Sequence, residues 1–375
     1  MNGSMLDNHP TGTGVYSFNV INNLSDLSWE KNKPSFTVFT PTRNHLSDKV
    51  RIVDISRLMQ SSRYGKIAAL TRFMWNAFVY PFRARQYDLL ISPTTHGSFF
   101  LRNQVITIHD LISLRYDNIS AHQRFYFKYL LPFMVRRARL IVTVSETSKK
   151  DIVSLLHCPE EKVRVIPNGY DATHYYRLEE RTRNIEAEYG FRDYILAVGP
   201  TYPHKNFENL LDAYAGLGET IRKAHPLVIG GGMKAYVDKL KRKVKEKGLE
   251  GDVHFIGYVP FLLMPSLYRE AMLLVFPSLY EGFGIPLLEA MACGCPVVAS
   301  NTSSMPEVCG EAAVYTDPHD PNEIREAIAN VLGDAALREA LRSKGYIRAE
   351  KFSWKQAAES FKTIIEQQCE PAKLN

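Results

Sequence analysis

Apolar and polar positions along the chain follow two alternating periods. Short runs rich in apolar and β-branched residues appear in the first half at Ser35–Thr40, Val50–Ile55, Leu89–Ser92, Gln104–His109, Leu140–Ser145 and Val163–Ile166. In the second half they appear at Tyr194–Gly199, Leu227–Gly230, Val253–Tyr258, Met272–Pro277, Pro296–Ser300 and Ala312–Thr316. Between them, in stretches such as Phe207–Leu217, Met233–Lys247, Asn322–Leu332 and Ala335–Glu350, apolar residues recur with helical spacing. Continuous apolar strands alternating with helices predict an α/β fold of parallel sheets covered on both faces. The even division predicts two doubly wound domains. The strand-free, charged stretch around Arg177-Leu-Glu-Glu-Arg-Thr-Arg puts the boundary there. The expected domains are 1–172 and 193–352, with 173–192 as linker. Residues 353–375 read as a Ser353-capped amphipathic helix with apolar Trp354, Ala357, Ala358, Phe361, Ile364 and Ile365, fraying after Gln368. Ligands of open α/β sheets bind beyond the carboxyl ends of the strands, so the expected site is a cleft bounded by both sheets.

Length and composition agree with this picture. The 375 residues, 45% hydrophobic and 23% charged, suit two folded cores. The five cysteines, Cys158, Cys293, Cys295, Cys309 and Cys369, are scattered and odd in number. They argue against a disulfide framework and for a reducing, cytoplasmic setting. Cys293 and Cys295 lack a second ligand pair at metal-binding spacing, so they read as small buried residues and no metal site is expected. The amino-terminal residues lack an apolar signal core, and no apolar run approaches the ~18–20 residues of a spanning helix. Membrane contact is therefore expected to be peripheral.

Charge adds a candidate partner. Residues 1–172 carry about +9 and residues 173–375 about −3 of the net +6. In the first half basic residues interleave with aromatics: Arg72, Trp75, Phe78, Tyr80, Phe82, Arg83 and Arg85, then Arg124, Phe125, Tyr126, Phe127, Lys128, Tyr129, Arg136, Arg137 and Arg139. That mixture suits an anionic membrane surface better than a nucleic-acid groove. Two ordinary helices with solvated basic faces remain the plain alternative.

The most informative segment is Phe276-Pro-Ser-Leu-Tyr-Glu-Gly-Phe-Gly-Ile-Pro-Leu-Leu-Glu-Ala-Met-Ala-Cys-Gly. A buried strand runs into a glycine-containing loop. Pro286 stands where a helix begins and Gly294 where it stops. Gly282 and Gly284 let backbone approach a ligand, and the helix tip offers N–H groups and the positive dipole end to an anion. Glu281 and Glu289 flank that tip. Glu281 is placed to accept hydrogen bonds from sugar hydroxyls and Glu289 from a ribose diol, while the diphosphate meets the loop. Singly, each piece could be a turn or a dipole-complementing carboxylate.

Together, Glu281 and Glu289 match a Glu-x7-Glu motif, with Phe283-Gly284 and Pro286-Leu-Leu-Glu-Ala-Met-Ala around it. Over most of its length the chain resembles the retaining nucleotide-sugar glycosyltransferases of family 4, the "glycosyl transferases group 1" type with the GT-B fold. The resemblance implies two Rossmann-like domains and transfer of a hexose, with mannose a candidate, from a nucleotide diphosphate sugar. It implies no metal and no other cofactor, and the absence of an Asp-x-Asp arrangement agrees. Val198-Gly-Pro-Thr-Tyr-Pro-His-Lys resembles the family's first donor-domain loop, where Lys205 would neutralise the donor phosphates. The family often has Arg where this chain has His204. Leu227-Val-Ile-Gly-Gly-Gly and Val253-His-Phe-Ile-Gly-Tyr-Val resemble its base-pocket strands.

In the first half, Ile106-Thr-Ile-His-Asp-Leu resembles a strand end carrying a functional histidine. By that likeness His109 touches the donor sugar; its alternative is a helix cap beside Asp110. Thr11-Gly-Thr-Gly-Val-Tyr resembles a glycine-rich loop before the first helix, with Gly12 and Gly14 near the diphosphate. Val142-Thr-Val-Ser-Glu-Thr-Ser and Val163-Arg-Val-Ile-Pro-Asn-Gly-Tyr-Asp match as structural segments. One departure is an expected first β-strand that is nearly absent before Asn2-Gly-Ser. The implied acceptor is a saccharide or lipid-linked saccharide in polysaccharide or glycoconjugate assembly, lipopolysaccharide included. No nucleic-acid partner is expected. The competing readings are an epimerase or phosphorylase on the same fold and a nucleotide-sugar-binding protein without turnover.

Overall fold

The computed structural model describes residues 1–8, 12–29, 34–116, 121–178, 184–200, 202–231 and 234–369. Thr11, linker residues 179–183, Thr201, Gly232, Met233 and the tail after Cys369 lie outside the described residues. The chain forms two compact units, Met1–Gly169 with Trp354–Asn375, and Tyr170–Ser353.

The first unit holds β1 (Thr37–Thr40), β2 (Arg51–Asp54), β3 (Leu90–Ser92), β4 (Gln104–Thr107), β5 (Leu140–Thr143) and β6 (Val163–Val165). β1 pairs with β2, and β3-β4-β5-β6 form a second sheet, all parallel. The nearly absent first strand has a short counterpart. Gly3 N–H donates to Phe39 O at 2.8 Å, Phe39 N–H to Met1 O at 3.1 Å, and Asn2 N–H to Ile91 O at 2.8 Å. Three residues thus bond to both β1 and β3. Ile106, Ile108 and Ile141 pack with Leu131, Met134 and Ile152 in one core.

The first helix runs Gly12–Asp26, so Gly12 and Gly14 form its first turn rather than a loop before it. Neither glycine has a positive φ. The buried pattern Tyr16, Val20, Ile21, Leu24 therefore extends back without a break. The helix Trp354–Cys369 buries its apolar face in this unit, with Trp354 edge-on to Tyr16 at 5.8 Å.

The second unit holds β7 (Ile195–Val198), β8 (Leu227–Gly230), β9 (Val253–Gly257), β10 (Leu273–Phe276), β11 (Val297–Ser300) and β12 (Ala313–Thr316). Their order is β12-β11-β10-β7-β8-β9, parallel throughout. Four of these strands are buried at every position, as a sheet covered on both faces requires. The helix Asn184–Tyr189, within the expected linker, joins this unit through Ile185, whose N–H meets Glu270 Oε2 at 3.1 Å. The chain winds outward from β7 to β9, returns beside β7 at β10, and winds the other way. The loops after β7 and β10 therefore flank the switch point, where parallel sheets open a crevice.

The helix Ile285–Ala292 ends as its sequence predicts. Gly294 is left-handed at φ 75, Cys295 N–H reaches Ala290 O at 2.9 Å, and Gly294 N–H reaches Met291 O at 3.0 Å. A Cβ at Gly294 would stand 2.1 Å from Tyr346 Oη. Gly294→Ala is expected to cost about 2 kcal/mol of stability in urea unfolding, from the backbone penalty and the clash together. An unchanged midpoint would contradict this account of the helix end.

Candidate functional site

In the second unit, Lys205 ends a 3-10 turn after β7, and Glu281 lies in the loop after β10. Their Nζ and Oε1 atoms are 2.6 Å apart, and 10% of each side chain is exposed. The same Nζ sits 5.1 Å from the Phe276 ring centroid, a cation–π position at the end of β10. Gly199 borders the lysine stem, and its φ of 135 rather than the space around it favours glycine: a Cβ there would stand in ordinary contact with Lys205 Cε at 3.6 Å.

The backbone on both sides is pinned. Asn206 adopts a left-handed φ of 61 and donates through Nδ2 to Pro277 O at 3.0 Å and Pro318 O at 2.6 Å. Leu279 N–H donates to His204 O at 2.7 Å, tying the two loops together. Ser303 Oγ accepts from Glu281 N–H at 3.1 Å and donates to Glu281 O at 2.6 Å. Ser304 Oγ contacts Glu281 O at 3.0 Å and Phe283 O at 2.9 Å. Gly284, at φ 103, turns the chain into the helix Ile285–Ala292 with Pro286 in its first turn. The Phe283 ring is buried edge-on against Phe352, so its backbone is the part left to meet a ligand. Gly282 is buried in the same turn.

Glu289 lies on that helix, and Tyr268 Oη donates to its Oε2 at 3.0 Å. Burial pushes the carboxyl up to about 7, against the opposing hydrogen bonds of Tyr268 and Tyr175. His204 stacks on Tyr202 at 5.6 Å, and burial holds its pKa below the ordinary value, so it adds no permanent charge beside Lys205. Gly231 has φ 92, and a Cβ there would come within 2.5 Å of Gly199 O. This fixes the reason for glycine where the loops after β7 and β8 meet.

The first unit carries His109, Gly12 and Gly14. His109 Nε2 lies 3.1 Å from Pro93 O. A carbonyl can only accept, so Nε2 holds the proton and Nδ1 is the acceptor. Burial lowers the imidazole pKa to about 4, and the neutral ring lies edge-on to Tyr16 at 4.4 Å. Its carbonyl accepts from Ser148 Oγ at 2.9 Å. The helix-start role falls to Asp110, whose Oδ1 accepts from Ile112 N–H at 3.0 Å. A Cβ on Gly12 would meet nothing within 4 Å, so packing does not require glycine there.

Residues 12–174 match the family described as Glycosyltransferase Family 4, and residues 179–348 match Glycosyl transferases group 1. O-antigen chain mannosyltransferase B of Escherichia coli is 34% identical over 69% of this chain and 70% of its own length. The chain belongs to glycosyltransferase family 4. Among its relatives, O-antigen chain mannosyltransferase RfbU of Salmonella typhimurium is 32% identical over 74% of this chain and 76% of its own. The structure of Anabaena Alr3699/HepE, solved in complex with UDP and glucose, shares the fold with a TM-score of 0.75 at 20% identity, over 96% of this chain and 97% of that one. The two parallel-sheet units of this family 4 glycosyltransferase are thus of the GT-B type.

Sequence reasoning brought Lys205 and Glu281 into one site but missed what holds them. Asn206, Ser303, Ser304, Tyr268 and Tyr175 carry no local motif. Only the left-handed bias of an asparagine after Lys205 was a readable signal.

The raised carboxyl of Glu289 has a consequence for stability. The native group keeps its proton up to about pH 7, while the unfolded one releases it near 4.5. Wild-type stability contributed by this site is full below pH 4.5 and falls as pH rises to about 7. Urea unfolding of nucleotide-free protein should therefore show Glu289→Gln gaining on wild type over that interval. A pH-independent difference would contradict the shift.

Proposed function

We propose that this enzyme transfers a hexose, mannose first among candidates, from a nucleotide diphosphate sugar to a saccharide or lipid-linked saccharide acceptor, with retention and without a bound metal. The observation that carries the reading is the Lys205–Glu281 pair beside the tip of the helix Ile285–Ala292, at the switch point of the sheet. The names of the O-antigen mannosyltransferase relatives support mannose and surface-polysaccharide assembly.

In this reading the C1–O bond to the diphosphate breaks and its electron pair leaves with the phosphate. Lys205, the 282–284 backbone and the helix dipole stabilise that charge, the kind of preorganised electrostatics that usually dominates catalysis. Glu281 accepts from hydroxyls of the sugar and orients it. Glu289 accepts from the ribose diol. His109, neutral, lends its lone pair and carbonyl dipole to the oxocarbenium-like carbon, and Gly12 and Gly14 give the diphosphate close access to backbone. The acceptor oxygen bonds to C1 on the face the phosphate leaves, and its proton passes to a departing phosphate oxygen.

The test is a panel of GDP-mannose and UDP-hexoses assayed with lipid-linked and soluble acceptors, in buffer with and without EDTA. Expected are acceptor-dependent nucleotide release, a product with the donor's anomeric configuration and no effect of EDTA. Conversion without acceptor would indicate an epimerase, and binding without turnover would remove the catalytic reading. Lys205→Ala and Glu281→Ala are each expected to lower transfer at least tenfold, about 1.4 kcal/mol. Wild-type rates in either variant at saturating acceptor would exclude that residue from the site.

A further inference from the structure

Glu289 meets two phenols that come from two different elements. Tyr268 lies on the helix Met264–Glu270 and donates through Oη to Glu289 Oε2 at 3.0 Å. Tyr175 lies in the stretch that opens the second unit, and its hydroxyl also bonds the Glu289 carboxyl. Both rings are buried, and they meet edge-on with centroids 6.0 Å apart. Burial, with Glu289 beside them, holds both phenols well above their ordinary pKa. Each therefore keeps its proton and is the donor.

The two tyrosines are held in register with each other. His174 stacks on Phe261 at 3.8 Å, and its Nε2 donates to Phe261 O at 2.8 Å. Arg269 donates through Nε and Nη2 to Tyr176 O at 3.2 and 3.0 Å and lies over the Tyr176 ring. Tyr175 N–H donates to Asp171 O at 2.8 Å. The neighbours of Tyr175 on both sides are thus fastened to the turn Phe261–Leu263 and to the helix that carries Tyr268. Phenylalanine rings would fill the same space. The hydroxyls add the hydrogen bonds to Glu289.

Those bonds fix a direction. A carboxylate offers about four lone-pair sites, so two phenols leave about two for a vicinal diol. A glutamate without them would give up rotamer freedom on presenting that edge; here it is set before a ligand arrives. The phenols also favour the ionised form. Burial pushes the carboxyl up to about 7, Tyr268 and Tyr175 pull against it, and the like charge of Asp171 adds to the rise. Cys293, at the end of Glu289's own helix, is pushed up to about 12 by burial, against Arg269, and stays a neutral thiol.

We propose that Tyr175 and Tyr268 are positioning residues that aim the Glu289 carboxylate at a ribose 2′,3′-diol and so set the enzyme's preference for ribonucleotides. The inference rests on the reading of Glu289 as the acceptor of that diol. It is tested by calorimetric titration of the full chain with GDP against 2′-deoxy-GDP and UDP against 2′-deoxy-UDP, at a series of pH values around 7. Wild type is expected to favour the ribonucleotide about tenfold, as a hydrogen bond to a charged group requires. Tyr175→Phe and Tyr268→Phe should each lower that preference about threefold, and Glu289→Gln should remove most of it. The 2′-deoxy ligands should lose little in the tyrosine variants, which reports an intact site. Ribonucleotide affinity of wild type should fall as the pH drops below about 7 and the carboxyl takes up its proton. Loss of a phenol raises that pKa, so the fall should begin at higher pH in each tyrosine variant. A wild-type preference in both tyrosine variants, with Glu289→Gln losing it, would overturn the positioning role alone. A wild-type preference in Glu289→Gln would overturn the ribose reading and the inference with it. Equal losses for the ribo and 2′-deoxy ligands, with no movement along the pH axis, would reduce the tyrosines to packing and overturn the proposal.

Discussion

A lysine and a glutamate held 2.6 Å apart, each mostly out of water, set the terms for the rest of the second unit. Withdrawing two charges from solvent costs several kcal/mol per ion, and only close contact and fixed surroundings offset it. The surroundings here are fixed. Asn206 ties the lysine turn to Pro277 and Pro318, and Ser303 and Ser304 hold the glutamate loop by its main chain. The two loops meet because β7 and β10 are neighbours, and they are neighbours because the winding of the sheet reverses there. The ion pair is a consequence of topology before it is a feature of chemistry.

In the first unit His109 is fixed by different means. His109 carries no charge near neutral pH, and its bond to Pro93 O sets which nitrogen has the proton. A neutral ring with a fixed lone pair can face a developing cation without repelling it.

The strands were legible because burial on both faces leaves unbroken apolar runs such as Leu273–Phe276. The helix Ile285–Ala292 was legible because Pro286 and Gly294 mark its ends. Other features were out of reach for physical reasons. Three residues at Met1–Gly3 are too few to display a strand period. Gly12 and Gly14 suggested a loop, yet glycine sits in a helix's first turn without positive φ. A π-turn changes the period by less than one residue, so Trp75–Val79 reads as ordinary helix. Tyr268 and Tyr175 reach Glu289 through tertiary packing that no local spacing encodes.

The proposed reaction divides the work of the pair, with Lys205 serving the phosphates and Glu281 the sugar. It is tested most directly by calorimetric titration of wild type, Lys205→Met and Glu281→Gln with GDP against GDP-mannose and UDP against UDP-glucose. Lys205→Met is expected to weaken nucleoside diphosphate and nucleotide-sugar alike, by about tenfold or more, as loss of a charge-assisted phosphate contact requires. Glu281→Gln should weaken the sugar-bearing ligand alone. Equal losses for both ligands in Glu281→Gln, or unchanged diphosphate binding in Lys205→Met, would contradict it.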